Sequence, residues 1–82
     1  MLVEYIERAM SHAEIRRLED GTFGGEIRAC PGTIAFGKTE EECRAELRFA
    51  LEDWIIAGIR RGDTFPEIDG VSLNPAPETA PR

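Results

Sequence analysis

Pro31-Gly32-Thr33-Ile34-Ala35-Phe36-Gly37-Lys38-Thr39-Glu40-Glu41-Glu42 decides the fold. A turn, a short alternating strand, a glycine break and a helix start follow one another within it. Thr39 and Glu42 stand at capping-box spacing, so each side chain can reach a backbone N–H near the other. From Glu40 to Arg61 there is no proline. That length makes a helix of roughly 33 Å at 1.5 Å per residue. Glu40, Glu41 and Glu42 suit the positive end of its dipole, and Arg60 and Arg61 the negative end. Gly62 then reads as the C′ stop.

One stripe of this helix is apolar. Cys43, Leu47, Ala50, Leu51, Trp54 and Gly58 recur at 3- and 4-residue steps, and Ile55 and Ile59 widen the stripe. Glu41, Arg44, Arg48 and Glu52 form opposite-charge pairs on the other side. Upstream, Ile34 and Phe36 share one face of a strand, and Thr33 and Ala35 the other. Pro31-Gly32 closes a preceding strand at residues 23–30.

Asp20-Gly21 marks a hairpin between that strand and residues 13–19. A three-residue loop at 20–22 would set Glu19 against Phe23, Ile15 against Ile27 and Ala13 against Ala29. It would also set Arg16 against Glu26 and Glu14 against Arg28, two favourable cross-strand charge pairs. A two-residue loop would oppose Glu14 to Ile27, so the odd loop is preferred, with Gly21 in the left-handed region. The expected inner face is Ile15, Phe23, Ile27 and Ala29. Before it, residues 1–13 read as a short helix with Leu2, Ile6, Ala9, Met10 and Ala13 on one stripe. Three turns are marginal alone, so this helix must dock. After the long helix, Asp63 to Pro66 turn the chain, and residues 71–73 are a possible fourth strand. Residues 74–82 hold three prolines and no large apolar side chain, and read as a disordered tail.

The expectation is therefore an α+β domain over residues 1–73: a short helix, a three-stranded antiparallel meander and one long helix. With 82 residues, the chain has a thin margin of stability.

The chain carries 16 acids, 10 basic residues and a net charge of −6. Phosphate binding draws on clustered Lys and Arg, so nucleic acid is not the expected direct partner. A basic protein is. No apolar h-region follows Met1-Leu2-Val3, and no run approaches a membrane span of about 20 apolar residues. The reading is cytoplasmic. Cys30 and Cys43 lack a disulfide framework and read as packing residues. With His12 they fall short of the four ligands of a structural zinc site, so no metal or cofactor is expected. His12 reads as a surface residue near a helix end, and Ser11 and Ser72 have no nucleophile motif around them. No catalytic constellation emerges.

The order of these pieces resembles the HicB-like antitoxin family. The resemblance rests on the 23–30 strand closing in Pro31-Gly32 and the Gly37-x-Thr39-x-Glu41-Glu42 turn into a helix. Trp54 late in that helix and the Gly62-x-x-x-Pro66 exit extend it, and it covers residues 13–66. Lys38 and Cys43 depart from the family's usual residues. The resemblance implies a pared-down ribonuclease H-like fold and a non-enzymatic inhibitor that binds a small, basic, mRNA-cleaving HicA-type toxin. It also implies a homodimer or higher oligomer. Gly21, Pro31, Gly32, Gly37, Thr39, Glu42, Trp54, Gly62 and Pro66 carry over as architecture. No helix-turn-helix or ribbon-helix-helix signal follows residue 73, so operator binding is not expected.

The expected toxin contacts are Glu14, Arg16, Glu26 and Arg28, with Glu40 and Glu41. Two other readings compete. One is a residual metal-dependent nuclease using Glu14, Glu26 and a helix acid, Glu46 or Asp53. The other is a structural or ligand-binding homo-oligomer whose edge strands pair.

Overall fold

The computed structural model describes residues 2–73. Its architecture is α+β: α1 (Leu2–Ser11), β1 (Glu14–Arg17), β2 (Phe23–Glu26), β3 (Ile34–Gly37) and α2 (Glu40–Arg61). The strands form one antiparallel sheet in the order β1-β2-β3. The expected tail at 74–82 lies outside the described residues.

Helix α2 has the expected bounds because both ends are chemically marked. The Glu42 N–H donates to Thr39 Oγ1 at 3.0 Å, satisfying one donor that the first turn leaves open. The Glu42 carboxylate accepts from the Lys38 N–H at 2.6 Å, one residue earlier than a capping box would have it. At the other end Gly62 is left-handed, with φ 73°. The Gly62 N–H donates to Ile59 O and the Asp63 N–H to Gly58 O, the paired bonds of a Schellman stop.

The first hairpin has the expected kind of loop in a different place. The Leu18 N–H donates to Thr22 O at 2.7 Å and the Gly21 N–H to Leu18 O at 3.0 Å. The three loop residues are therefore 19–21, one position earlier than expected. In such a loop a type I turn precedes a residue in the left-handed region, and that residue is Gly21, at φ 88°. Placing the glycine third moves the register by two residues. Glu14 now pairs with Glu26, Ile15 with Gly25, Arg16 with Gly24 and Arg17 with Phe23. The expected pairs Arg16–Glu26 and Ile15–Ile27 are not cross-strand partners. A two-residue slip preserves side-chain parity, so each residue that stays within the ladder keeps its face.

Strand β2 ends at Glu26, short of the expected Cys30. The Cys30 N–H donates to Ile27 O, and the Thr33 N–H to Cys30 O. Of these two consecutive turns, the second has Pro31 and then Gly32, at φ 91°, at its corners, as in a type II turn. The two turns carry Arg28 and Ala29 off the ladder, and Ala29 is exposed rather than inward. The expected fourth strand reduces to an isolated bridge between Ile68 and Val71. Asp69 and Gly70 both have positive φ there, which makes a tight two-residue corner of the I′ type.

One side of the sheet meets the helices. The core joins Tyr5, Ile6, Ala9 and Met10 of α1 to Ile27, Cys30, Ala35, Leu47, Leu51, Ile55, Phe65 and Ile68. Tyr5, absent from the expected stripe, is fully buried, and Leu2, expected within it, is 47% exposed. The Tyr5 hydroxyl donates to Pro66 O at 2.6 Å, tying α1 to the exit of α2. Burial, and then Cys30 beside it, pushes the phenol up to about 12. Cys30 and Cys43 are both fully buried, and desolvation raises both thiols above their ordinary range. Trp54 stacks edge-on against Phe65, with centroids 5.5 Å apart. Ile59, expected to widen the core stripe, is 62% exposed. No helix among the described residues is long and apolar enough to cross a membrane.

Candidate functional site

The side of the sheet away from α2 gathers the charged residues that sequence parity put together. Even-numbered positions face outward on all three strands: Glu14 and Arg16, Gly24 and Glu26, Ile34 and Phe36. With Leu18 and Gly25 they line a shallow recess of about 170 Å³. Its floor is low because Gly24 has no side chain. A Cβ there would lie 3.3 Å from the Phe36 ring and 3.5 Å from Leu18 Cδ1.

The register opposes two carboxylates, Glu14 and Glu26, which repel when left alone. Arg28 compensates from the turn beyond β2. Its Nη2 lies 3.4 Å from Glu14 Oε1 and its Nε 3.5 Å from Glu26 Oε2. All three side chains are largely solvated, so these pairs contribute little to stability. Arg16 has no ion pair among the described residues. This group remains available to a charged partner.

Beside these charges lies apolar surface. Ile34 is 54% and Phe36 63% exposed, on a face of β3 where Ala35 and Thr33 take the buried side. The larger pair of side chains thus points to solvent, and period-2 alternation alone could not say which pair would. Leu18 and Phe36 also border a second recess that holds Asp20, Lys38 and Glu42. The Thr22 hydroxyl and N–H both donate to Asp20 Oδ1 (2.6 and 2.9 Å), and these bonds hold its carboxyl below the usual range. Glu40 and Glu41 stand in the first turn of α2 and line neither recess.

A third recess joins Glu14 and Arg28 to His12, Glu67 and Asp69. His12 Nε2 lies 2.9 and 3.0 Å from the Asp69 oxygens. An ionised carboxylate only accepts, so Nε2 carries the proton. Ser11 Oγ donates to Arg8 O rather than to the histidine. No group of three or more His, Cys, Asp or Glu among the described residues could hold a metal ion. Glu46 and Asp53 belong to α2, whose Cys43 and Leu47 pack at Gly25 on the inner face. The sheet separates them from Glu14 and Glu26, so the three-acid nuclease arrangement is not assembled.

The model of the UPF0150-like family matches residues 4–66. A search of curated proteins finds no match. Among solved structures, the crystal structure of TTHA0281 from Thermus thermophilus is similar, with a TM-score of 0.85 and 38% sequence identity. The match covers 92% of this chain and 94% of that one.

Proposed function

On the premise that this chain belongs to the UPF0150-like family, we propose that it acts as a HicB-like antitoxin, a non-enzymatic inhibitor of a small basic HicA-type ribonuclease. The HicB-like marks lie in residues 13–66, within the matched 4–66. The observation that carries the reading is the outer face of the sheet. Glu14 and Glu26 stand there beside exposed Ile34 and Phe36, on a chain of net charge −6. Interfaces favour an apolar, aromatic centre with a charged rim. Acids at the rim steer a basic partner and fix its orientation. An RNA-binding surface rich in Arg and Lys would be neutralised and covered by such a face.

The test is binding of the chain to the product of the open reading frame beside its gene, expected on this reading to be a small basic protein, followed by calorimetry and by rescue of growth. Reversing both acids, Glu14→Arg with Glu26→Arg, leaves the core untouched. It is expected to weaken the complex by about 100-fold, since charge pairs at interfaces often couple by more than about 1.5 kcal/mol each. Unchanged affinity and unchanged rescue would remove the outer face from the reading.

A further inference from the structure

The backbone of β3 is open on one side, and its bonding pattern says which groups are unused. The Leu18 N–H bonds Thr22 O, so even positions of β2 bond toward β1. The Ile27 N–H bonds Thr33 O, so odd positions bond toward β3. Hydrogen-bonded and non-bonded pairs alternate along an antiparallel ladder. The register pairs Gly25 with Ala35 and Phe23 with Gly37. Thr33, Ala35 and Gly37 therefore bond inward, and Ile34 and Phe36 direct their N–H and C=O groups away from the sheet.

We propose that this edge pairs with β3 of a second copy, antiparallel, about a two-fold axis at Ala35. In that register Ile34 of one chain lies directly opposite Phe36 of the other, and the reverse, giving four new main-chain bonds. Each Ile–Phe contact is a cross-strand pair of β-branched and aromatic side chains. The two sheets become one of six strands, with both α2 helices on the same side.

Charge and symmetry favour a copy of this chain as the occupant. Two chains of net charge −6 repel wherever acids meet. Strand β3, Ile34–Gly37, carries no charge, whereas the other edge strand, β1, is Glu-Ile-Arg-Arg, the charged kind of edge that resists pairing. The two open residues are also spaced to satisfy each other: the pairing is complete with its own sequence. Exposed Ile34 and Phe36 gain cover that nothing among the described residues supplies. The inference does not depend on the toxin reading. Glu14 and Glu26 stay open, and the dimer would present two such groups on one continuous face.

Sedimentation velocity over a dilution series tests it. The wild-type chain is expected to sediment at twice its 9.2 kDa. The double substitution Ile34→Lys with Phe36→Lys sets lysine against lysine and is expected to weaken the dimer by roughly tenfold or more. The combination Ile34→Lys with Phe36→Glu sets lysine against glutamate twice and is expected to restore it. Both residues are exposed, and circular dichroism checks that each variant is folded. A monomeric wild-type chain at all concentrations would overturn the proposal. So would a dimer indifferent to the lysine pair, or one dissolved instead by Ile56→Glu on the exposed side of α2.

Discussion

Gly37→Ala is expected to cost at least about 3 kcal/mol of stability, enough to unfold much of a domain of this size. A Cβ at residue 37 would sit 2.4 Å from Cys43 N, 2.8 Å from Cys43 Cα and 2.9 Å from the Glu42 carbonyl carbon. These are backbone atoms of the first turn of α2, held by the Thr39 cap. No side-chain rotation relieves the overlap. Either β3 leaves its register with β2 or α2 lifts from the sheet, and Cys43 loses its contact with Ala35 O. Gly21→Ala is the informative control. Its left-handed φ of 88° strains an alanine, but nothing lies within 4 Å of the added carbon. That strain alone costs about 1–2 kcal/mol. Urea unfolding of the two variants separates steric from conformational loss. Equal destabilisation would mean that the β3–α2 approach is looser than described.

Tyr5→Ala is the second large effect, at about 3–5 kcal/mol, the range for removing a buried aromatic side chain. Tyr5 is fully buried between α1 and the core, and its hydroxyl serves Pro66 O, 61 residues away. An isolated ten-residue helix is marginal, so α1 is expected to unfold locally when this anchor goes. Amide exchange should then accelerate across Leu2–Ser11 before it does in α2. Tyr5→Phe keeps the ring and leaves the Pro66 carbonyl without its donor, costing about 1–3 kcal/mol. If Tyr5→Ala left α1 as protected as in the wild type, the helix would be held by Ile6, Ala9 and Met10 alone.

What the sequence made legible follows how local the determining chemistry is. Thr39, Glu42 and Gly62 act within a few residues of themselves, and both ends of α2 were readable from them. Gly21 identified the loop type, but a glycine that is third rather than second in the loop shifts the ladder by two. Parity survived that shift, so Glu14, Arg16 and Glu26 share one side of the sheet as expected, and Arg28 joins them from the turn beyond β2 rather than by parity. Of the two expected charge pairs, Glu14–Arg28 forms, with Arg28 reaching Glu14 and also Glu26 from beyond the strand, whereas Arg16 faces Gly24. The turn at 27–30 gave no signal because its residues have no turn preference. The outward direction of Ile34 and Phe36 depends on α2 taking the small side chain of Ala35, which is a tertiary choice. Tyr5 lies just off the apparent stripe of α1, and its partner is at the other end of the chain. Gly24 and Gly25 fell inside the expected 23–30 strand with no role of their own. Their lack of a side chain matters because Phe36 and Leu18 meet at one, and Cys43, Ile15 and Leu47 at the other.

The mismatch in length between helix and sheet has its own consequence. At 22 residues α2 runs roughly 33 Å, whereas four-residue strands span roughly 13 Å. Its first half, at Cys43 and Leu47, rests on Gly37 and Gly25 of the sheet, and its second half, at Trp54, Ile55 and Gly58, rests on α1 and Phe65. The helix is a splint across two seams that can part separately. Each seam encloses one thiol: Cys43 under β3, and Cys30 beside Tyr5. A small thiol reagent would therefore read the breathing of the two seams as two clocks in one chain, with no probe added to the protein.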